Sequence, residues 1–588
     1  MRKTWWGFLT LMLVFTLALS ACSGGGGNTA EPATTNNTGN NTNTGEPTTE
    51  NTTAPESTST EGVIEAADMS LNPQAALNRT DTMIIGMGDP KGVFNPIFRE
   101  TVYDAYVCYA LFDSFVEVAS DGTFQNSLAE KVDVSEDGLK YTYHLKPGVT
   151  FTDGTPLTVK DYYFTLKLLL DASYDGQSDP MSANIVGAKE YHEGKANEIS
   201  GVKIIDDNTV EVSITEYSAL TPVDLGEIYI LPEHYYGPKY TQGNLDGVKT
   251  LNDKPLGSGQ YKLTKYSPGQ EVVFEANENY FRGAPEVKNV IFKTTTETTN
   301  LPMLQQGETD MDEGFTVTED IVEALKEMGF VDINLLPNNG YGYIAFNHRL
   351  EKFKDVKVRQ ALVYGLNRAD IVAGIYGPYA DVINIPESTV SWAYTDENIE
   401  TYDFDLEKAK QLLDEAGWTV GSDGIREKNG EKFKINFSAT ADNPVVDALL
   451  PIMTQNYKEL GIELVAETLD FNAIMDKSTT GDFDMYFAAW SLTPDPDNTV
   501  FITDGAQNDY GYSNPKVDEL MAKGRKTLDL EERKQIYKEM YQEMNKDVPL
   551  ILMYQRKNMI AVNGRLNGFD FSPYKYFSYS LYQVQMEQ

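Results

Sequence analysis

Cysteine is almost missing from this chain: in 588 residues the only thiols are Cys22 and Cys108. Cys22 closes an N-terminal export signature described below, so Cys108 has no partner. An intramolecular disulfide is excluded, and a core must hold the fold. The neighbours Tyr106, Val107, Tyr109, Ala110 and Leu111 mark Cys108 as a buried, unreactive thiol rather than a nucleophile. Histidine is scarce too. His144, His192, His234 and His348 lie far apart, without ligand spacing, and no metal site is expected. Positive charge is outweighed, with 48 Lys and Arg against 88 Asp and Glu for a net charge of −40. That balance excludes nucleic acid as a partner and describes a solvated, self-repelling exterior.

Catalytic signatures are also lacking. There is no G-x-S-x-G elbow, no H-E-x-x-H, no G-x-x-x-x-G-K-[ST] phosphate loop and no C-x-x-C. The run Asp495-Pro496-Asp497-Asn498 starts like a calcium loop but lacks its glycine and distal glutamate. Asp310, Asp312 and Glu313 form a second acidic run, expected to be a solvated face. No enzyme activity and no cofactor are expected.

Long apolar runs are absent except at the N-terminus, where Arg2 and Lys3 precede Trp5 to Leu19 and then Leu19-Ser20-Ala21-Cys22. The run is short of the roughly 20 residues that cross a bilayer, and the small residues before Cys22 form a lipobox. Residues 1–21 are therefore expected to be a lipoprotein signal peptide, with Cys22 lipidated and anchoring the protein to a membrane. Ser23 to about Ser70 is dominated by Gly, Asn, Thr, Ser, Glu and Pro and has no aromatic residue. Residues 22–78 are expected to be a lipidated, disordered tether, since such a composition buries too little apolar surface to fold. A tether of this length suits the outer face of the cytoplasmic membrane, at a Gram-positive cell surface more than in a periplasm.

The remaining residues are too many for one core. Alternation predicts strands at Lys140–Leu145, Thr209–Thr215, Gln270–Ala276 and Lys432–Ser438. Helical spacing places Val358, Ala361, Leu362, Gly365 and Leu366 on one face behind an Asp355 cap. It does the same for Leu406, Ala409, Leu412, Leu413 and Ala416 between Asp405 and Gly417.

Six stretches, in order, carry a resemblance: GVFNPIF (Gly92–Phe98), the block from Leu128 to Leu166 containing KPGVTFTDGTPLT, PLGSGQY and the strand pair behind it (Pro255–Lys293), YIAFNHRLEKFKDVKVRQALVYGLNRADIV (Tyr343–Val372), DLEKAKQLLDEAGW (Asp405–Trp418) and YSNPKVDELMAKG (Tyr512–Gly524). Together they resemble the family 5 extracellular solute-binding proteins, the oligopeptide, dipeptide and nickel receptors of ABC importers. The resemblance implies an α/β, two-lobed periplasmic-binding-protein-like fold, a Venus flytrap of class II type, with an extra small domain inserted in lobe I. The implied divisions are lobe I at 79–112, 255–342 and 554–588, the inserted domain at 113–254, and lobe II at 343–553. It also implies a monomer that captures a short peptide between its lobes and hands it to the importer's transmembrane permease.

By the same resemblance, Phe483–Phe501 lines the cleft and Trp490 is the leading ligand contact. Peptide-binding relatives carry an aspartate three residues after this tryptophan to hold the ligand's ammonium; here that position is Thr493, and Asp495 or Asp497 is expected to substitute. Further expected contacts are Phe94, Asn95, Tyr103, Tyr343, Phe346 and Asn347. The alternatives are the same fold taking an oligosaccharide or a metal complex, and, from another class, a surface hydrolase or adhesin.

Overall fold

A computed structural model describes residues 62–178, 180–441, 443–496, 499–505 and 507–587. The expected signal peptide, Cys22 and Asp497 lie outside the described residues. The folded part begins earlier than residue 79: Gly62–Ile64 pairs antiparallel with Val331–Pro337, and the Ala66 amide donates to Asp332 at 2.8 Å. Polar composition failed to mark this segment because its attachment is backbone pairing to a strand some 270 residues away.

The central element is a sheet that continues from one lobe into the other. Two extended segments cross between them. Val331–Pro337 and Gly340–Phe346 run from lobe I into lobe II, and Leu550–Asn563 returns, pairing with both (Pro337 opposite Lys557, Gly342 opposite Tyr554). In lobe I, Thr82–Met87, Asn289–Thr294 and Met311–Phe315 are mutually parallel, and Met311–Phe315 is antiparallel to the returning strand. These three strands therefore run toward lobe II. In lobe II, Met485–Ser491 is antiparallel to Gly340–Phe346 and parallel to Lys434–Thr440, so both run toward lobe I. Each lobe thus presents the carboxyl ends of its parallel strands to the other, the end of an α/β sheet where ligands bind.

Separate hydrophobic clusters sit on the two sides of the crossing. One gathers Met83, Ile85, Phe274, Phe292 and Val562 of lobe I, another Phe346, Leu362, Leu413 and Phe437 of lobe II. The small domain has its own core of Phe115, Tyr141, Tyr143, Tyr162 and Val210 beneath a four-stranded sheet. Cys108 lies in the lobe I cluster, fully buried, and burial pushes its thiol up to about 12.

Local expectations map closely. Lys140–Leu145 is a strand with Tyr141, Tyr143 and Leu145 buried. The Asp355 side chain accepts from the Lys357 amide at the start of Val356–Tyr364, and Asp405 caps Leu406–Glu415 through the Lys408 amide. The glycines of Gly257-Ser258-Gly259 allow close packing: a Cβ on Gly257 would sit 2.0 Å from the Leu111 carbonyl oxygen. Ser258 Oγ donates to buried Asp113 at 2.8 Å, so this motif joins lobe I to the inserted domain.

The acidic run at 310–313 is corrected. Asp310 and Asp312 are fully buried. Asp310 accepts from Arg79 at 2.7 Å and from Arg565 at 2.8 Å, because cations distant in sequence fold onto it.

Candidate functional site

The lobe II side is built on the last residues of Met485–Ser491. Alternation along this strand turns Tyr486 and Ala488 into a core and leaves Trp490 half-buried at its carboxyl end. The Trp490 indole lies parallel to the Tyr343 ring on the neighbouring strand, with centroids 6.4 Å apart and planes 6° from coincidence. Its N–H donates to Tyr510 at 2.9 Å, and the Tyr510 hydroxyl donates to Tyr343 at 2.8 Å. The ring is therefore held by stacking, by packing against the lobe II core and by a satisfied polar edge. Gly340 is required beside it: a Cβ there would stand 2.2 Å from the Trp490 carbonyl oxygen.

Beyond Trp490 the chain turns through Thr493, which is exposed and whose hydroxyl donates to the Asp495 carbonyl at 2.7 Å. The Asp495 carboxylate is engaged twice by Arg533, at 2.8 and 3.0 Å, with both side chains mostly buried. This fork-to-fork pair is the strong form of an ion pair. The Arg533 guanidinium also lies over Trp392 at 5.0 Å. Asp495 thus spends its charge within the protein.

Four of the expected contacts are buried in the structure. Phe94 is fully buried against Tyr266, and Phe346 is fully buried near Phe353. Asn95 is fully buried, its side-chain oxygen accepting from the Ile97 amide. Asn347 is buried and donates to the carbonyls of Gly481 and Phe483 at 3.0 and 2.8 Å, fastening a turn.

Tyr103 is half-buried and stands over Gly88, just past the carboxyl end of Thr82–Met87; a Cβ on Gly88 would lie 2.2 Å from its ring. It opens a row of tyrosines that the sequence reading did not single out. Tyr103 is edge-on to Tyr106 at 6.1 Å, Tyr106 lies 5.1 Å from Tyr576, and Tyr109 stacks on both Tyr576 and Tyr579. With 35 tyrosines in the chain, composition alone had no means of marking these few.

At the Tyr109 end, a cavity of about 340 Å³ opens between lobe I and the inserted domain, lined among others by Arg99, Leu169, Glu227, Tyr229 and Tyr579. Arg99 lies over the Tyr109 ring at 5.4 Å. Burial raises Glu227 to about 7 despite the nearby guanidinium.

The lobes also meet directly. The Ala219 amide of the inserted domain donates to the Arg525 carbonyl at 2.8 Å, and the Tyr574 hydroxyl of the C-terminal segment donates to the Val390 carbonyl at 2.7 Å. Among the described residues no group of three or more His, Cys, Asp or Glu is arranged to hold a metal ion. Among them, too, no helix is long and apolar enough to cross a membrane.

Known proteins share this architecture. The chain is 27% identical over 502 residues to the oligopeptide-binding protein AppA of Bacillus subtilis, covering 84% of this chain and 89% of that one. It is 28% identical to the dipeptide-binding protein of Escherichia coli, covering 83% and 91%. It is 27% identical to heme-binding protein A of Haemophilus influenzae, covering 82% and 88%. The solved structure of AppA from B. subtilis with a nonapeptide superposes with a TM-score of 0.70, covering 86% of this chain and 99% of that one at 27% identity. Residues 123–511 match the family described as bacterial extracellular solute-binding proteins, family 5, middle. With the two-lobed sheet and the facing strand ends, that match establishes that the chain belongs to the family 5 extracellular solute-binding proteins, which bind their solutes and are not enzymes.

Proposed function

We propose that this chain is the substrate-binding lipoprotein of an ABC importer, that its ligand is a short peptide, and that it delivers this ligand to a transmembrane permease. The observation that carries the reading is the placement of Trp490, stacked and hydrogen-bonded at the strand ends that lobe II turns toward lobe I. Relatives named for oligopeptide and dipeptide binding support the ligand class.

The working contacts are Trp490 with Tyr343 behind it, Thr493 on the adjoining turn, and Tyr103 on the opposite lobe. Closure is the functional step: a ligand touching both lobes favours the closed form by its differential affinity, and the permease reads that form. The lobe divisions near Phe112, Gly342 and Met553 are supported by the change of hydrophobic cluster around each, whereas around Lys254 the chain stays in one cluster, Leu231, Tyr236, Leu245 and Val248 packing with Tyr261. A lipid on Cys22 at the outer face of the cytoplasmic membrane, and a monomeric working state, complete the proposal; the lipobox supports the first.

Native mass spectrometry of the purified protein is expected to show co-purified peptides. Protein that carries none, and that gives no calorimetric signal with a peptide library, would refute the ligand class. Trp490→Ala is expected to weaken peptide binding about tenfold to hundredfold, the loss of one aromatic packing surface. Trp490→Phe keeps a ring but loses the bond to Tyr510, and is expected to fall between. Unchanged affinity in Trp490→Ala would remove Trp490 from the site.

A further inference from the structure

The reading above leaves a chemical gap. A peptide carries an ammonium, and the aspartate that the resemblance calls for is Thr493 here, while the nearest described carboxylate, Asp495, is held by Arg533. A buried ammonium without a counter-charge is strongly disfavoured. The opposite lobe offers a carboxylate.

Glu313 lies on Met311–Phe315, the lobe I strand that runs toward lobe II beside the returning crossing strand. It is half-buried, and its side chain accepts from the Tyr106 hydroxyl at 3.1 Å. Among the described residues it forms no ion pair, unlike Asp310, Asp484 and Asp495, which all face a guanidinium or ammonium. Its neighbour Asp312 points elsewhere, accepting from Thr295 and from the Gly314 amide, both at 2.8 Å. Burial, with Asp312 close by, raises Glu313 to about 7, as expected of a carboxylate that lacks a cation.

Its surroundings suit a cation. Tyr106 donates to the carboxylate and its ring packs against Tyr103 and Tyr576, and Tyr576 is 43% exposed. Aromatic faces attract positive charge.

We propose that Glu313 is the residue that selects ligands carrying an alkylammonium group, taking that group as its missing counter-ion beside the cluster of Tyr103, Tyr106 and Tyr576. The proposal rests on the peptide reading and sharpens it: recognition of the amine has moved from lobe II to lobe I. The ammonium has two sources in a peptide, the amino terminus and a lysine side chain.

Calorimetry on the full mature chain separates them. The probes are lysine-free peptides with free or acetylated amino termini, and acetylated peptides with or without one lysine. Wild-type protein is expected to prefer one amine-bearing partner by tenfold or more, and the pair that shows the preference identifies the source. Glu313→Gln keeps the shape and the Tyr106 contact; it is expected to reduce that preference to within about twofold while binding the amine-free peptides as before. Thermal unfolding of the variant confirms that it is folded. Glu313→Asp, one methylene shorter, is expected to retain an intermediate preference.

If wild type and Glu313→Gln discriminate equally, Glu313 is not the selector and the inference is overturned while the peptide reading stands. If wild type binds peptides without regard to their amines, the inference fails in the same way. If wild type binds no peptide in any form, the ligand class is lost and this inference with it.

Discussion

Asp310→Ala is expected to destabilise the protein by about 3–5 kcal/mol, the cost of stripping one partner from a buried charge network. The Asp310 side chain is fully buried and works in four directions. Its Oδ1 accepts from Arg79 and from both Nε and Nη2 of Arg565, its Oδ2 accepts from the Ile84 amide at 2.9 Å, and its backbone bonds Ile84 and Asn563. One carboxylate thereby ties Thr82–Met87, Met311–Phe315 and the C-terminal segment into lobe I. Removing it leaves two guanidiniums facing each other, with Arg565 only 3% exposed. Asp310→Asn keeps an acceptor but not the charge, and is expected to cost about half as much and to remain foldable. Urea unfolding followed by circular dichroism measures both. A wild-type midpoint for Asp310→Asn together with a normally folded, equally stable Asp310→Ala would show that the network adds nothing.

The contrast between this residue and its sequence environment shows what was legible and what was not. Elements whose signal is local read directly: the alternation of Tyr141, Tyr143 and Leu145, and the caps at Asp355 and Asp405, each depend on residues within a turn or a strand. The architecture was legible through six ordered stretches rather than through any single residue. Asp310 read as surface because Arg79 and Arg565 are 231 and 255 positions away. The site suffered most from this. Trp490 was singled out because a family position marked it, and the same reasoning named Phe94, Asn95, Phe346 and Asn347, which the structure buries. Asp495 looked available until Arg533, 38 residues on, took its charge. Glu313 was passed over because an unpaired carboxylate is defined by what fails to surround it, and that is visible only in three dimensions.

A second large effect is expected in the pH dependence of stability, through Glu387. This side chain lies in a loop of lobe II, 3% exposed, accepting from the Tyr541 hydroxyl at 2.5 Å and the Ser388 amide at 2.9 Å. The adjoining Ser388 and Thr389 are held by Gln555 of the returning crossing strand. Burial raises Glu387 from 4.5 to about 7, outweighing those hydrogen bonds, and Asp495 adds to the rise. Below about pH 4.5 the folded and unfolded chains both hold this proton, and Glu387 carries no penalty. As pH climbs from 4.5 to 7 the unfolded chain releases the proton first, so stability falls; above 7 the loss is complete at about 3 kcal/mol. Glu387→Gln removes that dependence. The variant is expected to match wild type near pH 5 and to exceed it by about 2–3 kcal/mol at pH 8, measured by urea unfolding at each pH. His348 has the opposite sign. Burial beside Arg359 lowers it to about 4, so it costs stability as pH falls from 6.5 toward 4, and it does so equally in both proteins. The difference between variant and wild type therefore isolates Glu387, and parallel profiles from pH 5 to 8 would show that this carboxyl is ionised in the fold throughout.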